Sequence, residues 1–209
     1  MKNVHIINHP LVQHHLVSLR DKRTPSGGFR RMVQRLSVLL TYEAAKDFAT
    51  RPVKVRTPMA VADGRTLGQR IGLVPILRAG LGMVEPVLNL ISGAEVWHLG
   101  FYRDEKTFKP VEYYKKLPKQ DPVDVALILD PMLATGGSSV AAVEAVKRWG
   151  VKRIKILCLI AAPEGLKAVR KQFPEVQIYV CAIDSHLNKN AFIIPGLGDA
   201  GNRIFNAEA

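Results

Sequence analysis

Acidic side chains are in short supply in this 209-residue chain: 18 Asp and Glu stand against 30 Lys and Arg, for a formal net charge of +12. So positive a chain attracts anions, and nucleic acid, anionic lipid and small phosphorylated metabolites all qualify. Cysteine is scarcer still. Cys158 and Cys181 are the two in the chain, each inside an apolar, strand-like run (LCLIAA and YVCAID). They read as reduced core thiols, which argues against a disulfide scaffold and fits a cytosolic protein. No apolar run reaches about 18 residues, and MKNVHIINHP has no apolar signal core, so neither membrane spanning nor export is expected. Metal-site spacing is missing too. His5, His9, His14 and His15 cluster near the start, but no cysteine or consistent i, i+4 pair completes a zinc pattern, and surface or capping roles are expected.

What the chain does have is a change of period. Leu11, Val12, His15, Leu16 and Leu19, then Phe29, Met32, Val33, Leu36, Leu39, Leu40 and Ala44, recur at helical spacing, which predicts helices over 11–22 and 28–49 with TPSGG as the turn between them. From residue 53 short apolar runs take over: Val53 to Val55, Ile71 to Ile76, Glu95 to Tyr102, Val125 to Leu129, Arg153 to Ala161 and Gln177 to Ile183. Helical segments at about 80–92, 138–149 and 164–172 separate several of them. Runs such as LILD and KILCLIAA are apolar on both faces. The expected fold class is therefore α/β, a mainly parallel central sheet flanked by helices, in one domain of 1–209. In such sheets ligands bind beyond the carboxyl ends of the strands.

Four stretches fall on that edge. In VALILDPMLATGGS a strand delivers Asp130 and a small-residue loop opens a helix. Gly136 and Gly137 can turn backbone N–H groups towards an anion, and Thr135 and Ser138 add hydroxyls, so this is a phosphate seat or a simple glycine turn with a hydroxyl cap. It lacks the Gly-Lys-Ser/Thr ending of nucleoside triphosphatases. In VPILRAGLGM a strand ends at Arg78, whose fork suits a phosphate or a structural carboxylate. In GFYRDEKTFKPVEYYKKLP, residues 100–118, Arg103, Lys106, Lys109, Lys115 and Lys116 alternate with Tyr102, Phe108, Tyr113 and Tyr114. A mobile basic flap, a single-stranded nucleic acid surface and a solvated hairpin all remain open there. In AFIIPGLGDAGNRIF, residues 191–205, glycines sit between apolar anchors. A shaped loop of that kind can read the edge of a planar base, or be an ordinary buried turn.

Taken in order, HPLVQHHLVSLRDK, FRR, LLTYEA, VPILRAGLGM, YRDEKTFKPVEYYKKLP, DPMLATGGS, AAPEG and IIPGLGDAG resemble the uracil phosphoribosyltransferases of the type I phosphoribosyltransferase superfamily, over nearly the whole chain. The resemblance implies the salvage reaction of uracil with phosphoribosyl pyrophosphate (PRPP) to give UMP and diphosphate, with magnesium held mainly by substrate oxygens and water. It implies donor contacts from Asp130, Pro131, Met132, Leu133, Ala134, Thr135, Gly136, Gly137 and Ser138. The 5′-phosphate then lies on the 134–138 loop and the ribose hydroxyls on Asp130. Arg78 and Arg103 fall at the diphosphate, and Ile193, Gly198, Asp199 and Ala200 at uracil. Asp199 also matches a donor-side contact, and with Arg78 and Arg103 it completes the expected catalytic set.

The resemblance further implies an N-terminal helical arm over 1–50, a flap over 100–118 and a base-binding segment over 184–209. It implies a cytoplasmic homodimer or larger homo-oligomer with neither nucleic acid nor membrane as partner, and GTP activates some relatives. Arg35 stands where an acid is common and Asn202 where Asp is usual. RNA-binding regulators of this superfamily, and its purine enzymes, generally keep an acidic pair where this chain has Asp130 and Pro131, which speaks against both alternatives.

Overall fold

A computed structural model describes residues 2–103, 110–118 and 120–207, with backbone alone at 102, 103, 110 and 115. The chain opens with β1 (Val4–Ile6), α1 (Pro10–Arg20), α2 (Ser26–Ala44), β2 (Thr50–Arg56) and β3 (Val61–Leu67). It continues through β4 (Ile71–Leu77), α3 (Leu81–Leu90), β5 (Glu95–Val96), β6 (Leu99–Arg103), β7 (Pro110–Lys115), β8 (Val125–Leu129) and β9 (Met132–Leu133). The last third holds α4 (Gly137–Trp149), β10 (Arg153–Ala161), α5 (Pro163–Gln172), β11 (Gln177–Ile183), β12 (His186–Leu187), β13 (Ile193–Ile194) and α6 (Ala200–Phe205).

The main sheet runs β1-β11-β10-β8-β4-β6-β7, with β5 beside β4 and β9 beside β10. All its pairings are parallel except β6 with β7. The doubly apolar runs are explained by which face each residue serves. Along β8, Val125, Leu127 and Leu129 join the core beneath α1, α2, α3 and α6. Ala126 and Ile128 join the one beneath α4 and α5, so consecutive residues of one strand feed two cores.

The chain leaves β4 through α3 towards β6, and leaves β8 through α4 towards β10. These two helices lie on opposite faces of the sheet. Adjacent strands with connections running in opposite directions open a crevice between their carboxyl ends. In this chain that crevice lies between Leu77 and Leu129.

The sequence reading needs correction in several places. The TPSGG turn is shorter than expected, because Ser26, Gly27 and Gly28 already belong to α2, with Pro25 in the cap position. The arm does not begin with helices: Val4–Ile6 adds a parallel strand at the sheet edge, and His9 then accepts from the Leu11 amide at the start of α1. Glu95 to Tyr102 is two strands, since β5 and β6 pair successively with β4. The run around Val53 is half of a β2–β3 hairpin that forms its own two-stranded sheet. The second strand, VADGRTL, is too polar to show as an apolar run. Cys158 and Cys181 are free and buried. Burial raises both thiols, Cys181 to about 12, so neither is a reactive thiolate.

Candidate active site

At the end of β8 the ladder continues past the acid. The Asp130 amide donates to the Leu157 carbonyl at 3.2 Å, and the Pro131 carbonyl accepts from both Leu159 and Ile160, at 3.0 and 3.2 Å. β9 then pairs with Ile160 and Ala161. Pro131 is buried, so a carboxylate there would be desolvated, whereas a proline has no N–H to leave unmet. The DPML segment is therefore a strand edge that presents one acid to the crevice.

Met132 to Ser139 and Asp130 line a small hollow of about 40 Å³, room for a few water-sized groups and hence for the oxygens of one phosphate. α4 starts at its rim. Gly136, at φ 85°, is the cap residue, a left-handed conformation that glycine adopts without strain. The first amides of a helix have no partner within it, and here those of Gly137, Ser138 and Ser139 begin at the hollow. The loop lies directly on the start of α5. A Cβ at Gly165 would collide with the Ala134 carbonyl and lie 2.7 Å from that of Leu133, and one at Gly136 would lie 2.8 Å from the Gly165 carbonyl. This gives the AAPEG motif a purpose that its sequence did not disclose: its glycine lets the loop after β9 rest on the start of α5.

Burial raises the Asp130 carboxyl to about 7 from an ordinary 3.8, and the Met132 amide at 3.4 Å offsets this only slightly. A carboxyl raised on folding stabilises the unliganded fold while protonated. That contribution is present below pH 3.8 and is lost as pH rises through about 7.

Arg78 follows β4 across the crevice and is exposed. A Cβ at Gly80 would strike the Leu129 carbonyl, so the arginine loop folds back over the end of β8. The Arg78 guanidinium donates to the Asn202 side-chain oxygen at 3.2 Å. Asn202, a departure in the sequence, is thus a partner of the predicted cation, and its amide accepts without cancelling the charge. Arg103 closes β6, the next strand out from β4, in register with Pro110. Sheet order therefore puts Asp130, Arg78 and Arg103 at the carboxyl ends of three neighbouring strands. Residues 104–109 of the expected flap lie outside the described residues.

The base-binding stretch meets the same edge. Ile204 of α6 packs on Gly82, where a Cβ would lie 3.0 Å from its terminal methyl. Asp199 caps α6, accepting from the Asn202 amide at 2.7 Å, so part of that carboxylate is already engaged. Gly198 and Asp199 are exposed, while Ile193 and Ala200 are buried. The Leu77–Arg78 and Ile194–Pro195 peptides are cis. Among the described residues no three His, Cys, Asp or Glu side chains gather as a metal site. Asp130 and Asp199 stand singly.

Sequence reasoning passed over Arg20, Asp184 and Arg203. A signal existed for one of them: YVCAID ends an apolar strand with an acid as LILD does. Asp184 sits just beyond β11, where Arg20 pairs with it at 2.6 Å.

Comparison with known proteins shows the fold and the family of the chain. A hypoxanthine phosphoribosyltransferase from Staphylococcus aureus superposes with a TM-score of 0.53 at 16% identity, over 76% of each chain. The AQ2163 protein from Aquifex aeolicus does so at 0.93 and 37%, over 99% of each. The fold is that of the type I phosphoribosyltransferases. The sequence profile of the uracil phosphoribosyltransferase family matches residues 6–207. Proteins named uracil phosphoribosyltransferase are 55% identical in Roseiflexus castenholzii, over 98% of this chain and 99% of theirs, and 53% in Symbiobacterium thermophilum, over 100% of both. The chain belongs to the uracil phosphoribosyltransferase family.

The packing of the loop on α5 is testable. Gly165→Ala should cost about 1–3 kcal/mol through overpacking, read by urea unfolding. Gly27→Ala, whose Cβ would meet nothing closer than 3.8 Å, should cost nothing. Equal effects of the two would contradict the packing described.

Proposed function

We propose that the protein transfers the phosphoribosyl group of PRPP to N1 of uracil, forming UMP and releasing diphosphate. The observation that carries this reading is the convergence on one sheet edge of the 134–138 loop with Asp130, the Arg78 loop and the 193–200 stretch. Membership of the family supports it.

In this reading the amides and hydroxyls of Ala134 to Ser138 take the 5′-phosphate, with the helix start adding its partial positive charge. Asp130 accepts from the ribose hydroxyls. As the C–O bond to diphosphate breaks, positive charge develops on the sugar and negative charge on the leaving group. Arg78 and Arg103 stabilise the latter. Ile193, Gly198, Asp199 and Ala200 hold uracil so that N1 meets the anomeric carbon, and this orientation removes a further part of the barrier. The electron pair of the new C–N bond comes from N1, whose proton leaves to solvent or to a neighbouring acceptor. Asp199 is the carboxylate assigned to the uracil stretch, and its capping of α6 fits a role in steering charge better than one as a free base.

Among the described residues no three His, Cys, Asp or Glu side chains gather where a cation could sit. Magnesium therefore belongs in this reading to the donor's own oxygens and water. When bound it neutralises diphosphate charge.

A homo-oligomer is also part of the reading. The β2–β3 hairpin exposes Val55, Met59, Val61 and Leu67, and an isolated two-stranded hairpin is marginal in water. We place a contact between copies there. Met59→Asp should lower the mass seen in equilibrium sedimentation, and an unchanged mass would remove the hairpin from the interface.

Incubation with labelled uracil, PRPP and magnesium tests the activity. UMP should form, and Arg103→Ala should lower kcat by about a hundredfold, the size of losing one transition-state donor, while thermal unfolding stays put. Tight RNA binding without UMP would reject the reading. Asp130 gives a pH signature. Its ionised form accepts the hydroxyls, so PRPP affinity should rise by up to about tenfold per pH unit below 7 and level off above. Asp130→Asn should bind more weakly at pH 8 and show a flatter profile. An Asn variant with the wild-type slope would assign the titration to another group.

A further inference from the structure

The loop that carries Ile193 to Gly198 has little reason to hold one shape by itself. It contains Pro195 and two glycines in the left-handed region, Gly196 at φ 66° and Gly198 at 81°. Its apolar anchors are Ile193 and Leu197. Apolar contacts fix depth in a core but not the direction in which a peptide group points.

Direction comes from a bidentate ion pair. Arg20, the last residue of α1, donates to both carboxylate oxygens of Asp184 at 2.6 and 2.8 Å. The same pair takes both polar groups of the Gly196 main chain: its N–H donates to Asp184 at 2.9 Å and its carbonyl accepts from Arg20 at 2.8 Å. The Asp184 side chain is only 4% exposed. On either side of this clamp, Ser185 donates its amide and hydroxyl to the Ile194 carbonyl at 3.0 and 2.7 Å. The Arg203 guanidinium caps the Leu197 carbonyl at 2.7 Å and also the carbonyls of Leu19 and Asp21. Consecutive carbonyls of the loop are thus occupied by two fixed guanidinium groups, both tied to the end of α1.

A buried ion pair adds little net stability over apolar packing, because desolvation offsets its attraction. What the fork supplies is orientation in a plane. A loop already fixed in its binding shape does not lose ordering free energy when the ligand arrives. We propose that Arg20 and Asp184 are positioning residues for the base: they act through Gly196 to preset the backbone that reads uracil, without touching the substrate. This rests on the assignment of the 193–200 stretch to uracil made above. It also gives the N-terminal arm a place in substrate recognition.

The test is steady-state kinetics on the full-length protein, varying uracil and PRPP separately. Arg20→Lys keeps the charge and loses the fork. It should raise the KM for uracil about tenfold or more, the loss of one oriented hydrogen-bond set, while the KM for PRPP stays within about twofold. Asp184→Asn keeps an acceptor for the Gly196 amide and should give a smaller shift in the same direction. Thermal unfolding of both variants is read alongside. Failure of the wild type to make UMP rejects the assigned function and the proposal with it. An active wild type whose variants shift both KM values equally, or neither, overturns the positioning role alone. Loss of the fold in both variants also overturns it, since the pair would then be a structural tie only.

Discussion

Backbone meeting backbone at the ends of β4 and β8 is the constraint on which the rest depends. Gly80 lets the arginine loop lie on the Leu129 carbonyl, and Gly165 lets the 134–138 loop lie on α5. With a Cβ at either place, Arg78 and the 134–138 loop would be pushed apart and the crevice would lose one of its walls. These contacts are short-ranged and steric, and each leaves no room for a side chain. The charged groups then need little further positioning, because the sheet order already sets Asp130, Arg78 and Arg103 on successive strands.

Electrostatics divide the crevice into unlike parts. One rim has Arg78, paired with a neutral amide, so its full charge remains for an anion. The other has Asp130, single among the described residues and raised by burial to about 7. Pro131 is what makes the acid single, and its carbonyl binds β10 where a second acid would have been buried. In the proposed reading a single carboxylate that ionises as hydroxyls reach it grips the ribose, and it is a poor ligand set for a divalent ion. The excess of basic residues in the composition is thus a weak guide to the crevice, where Arg78 and Asp130 are placed singly among the described residues.

What the sequence made legible were features that local chemistry decides. The core strands declared themselves because residues such as Val125 to Leu129 are apolar on both faces, and the candidate site residues could be singled out because acids, arginines and glycines follow such runs directly. Features decided at long range were hidden. VADGRTL carries no apolar run, and its partner in β2 determines it as a strand. Ser26 and Gly27 look like a turn, yet the first helical bond already runs from the Phe29 amide to the Pro25 carbonyl at 2.9 Å, which takes both residues into α2. α6 is six residues long, too short for a periodic signal, and Asp199 was read for chemistry when it is also a cap. The Arg20–Asp184 pair spans 164 positions, so neither residue could announce the other.

The central claim is that one crevice holds the donor's phosphate on the α4 side and the base on the α6 side. Amide hydrogen exchange, followed residue by residue, tests it most directly. Adding PRPP with magnesium should slow exchange at Gly136, Gly137 and Ser138, and adding uracil to that complex should slow it across residues 196–200. If these amides exchange at unchanged rates while protection develops elsewhere in the molecule, the account of the site is wrong.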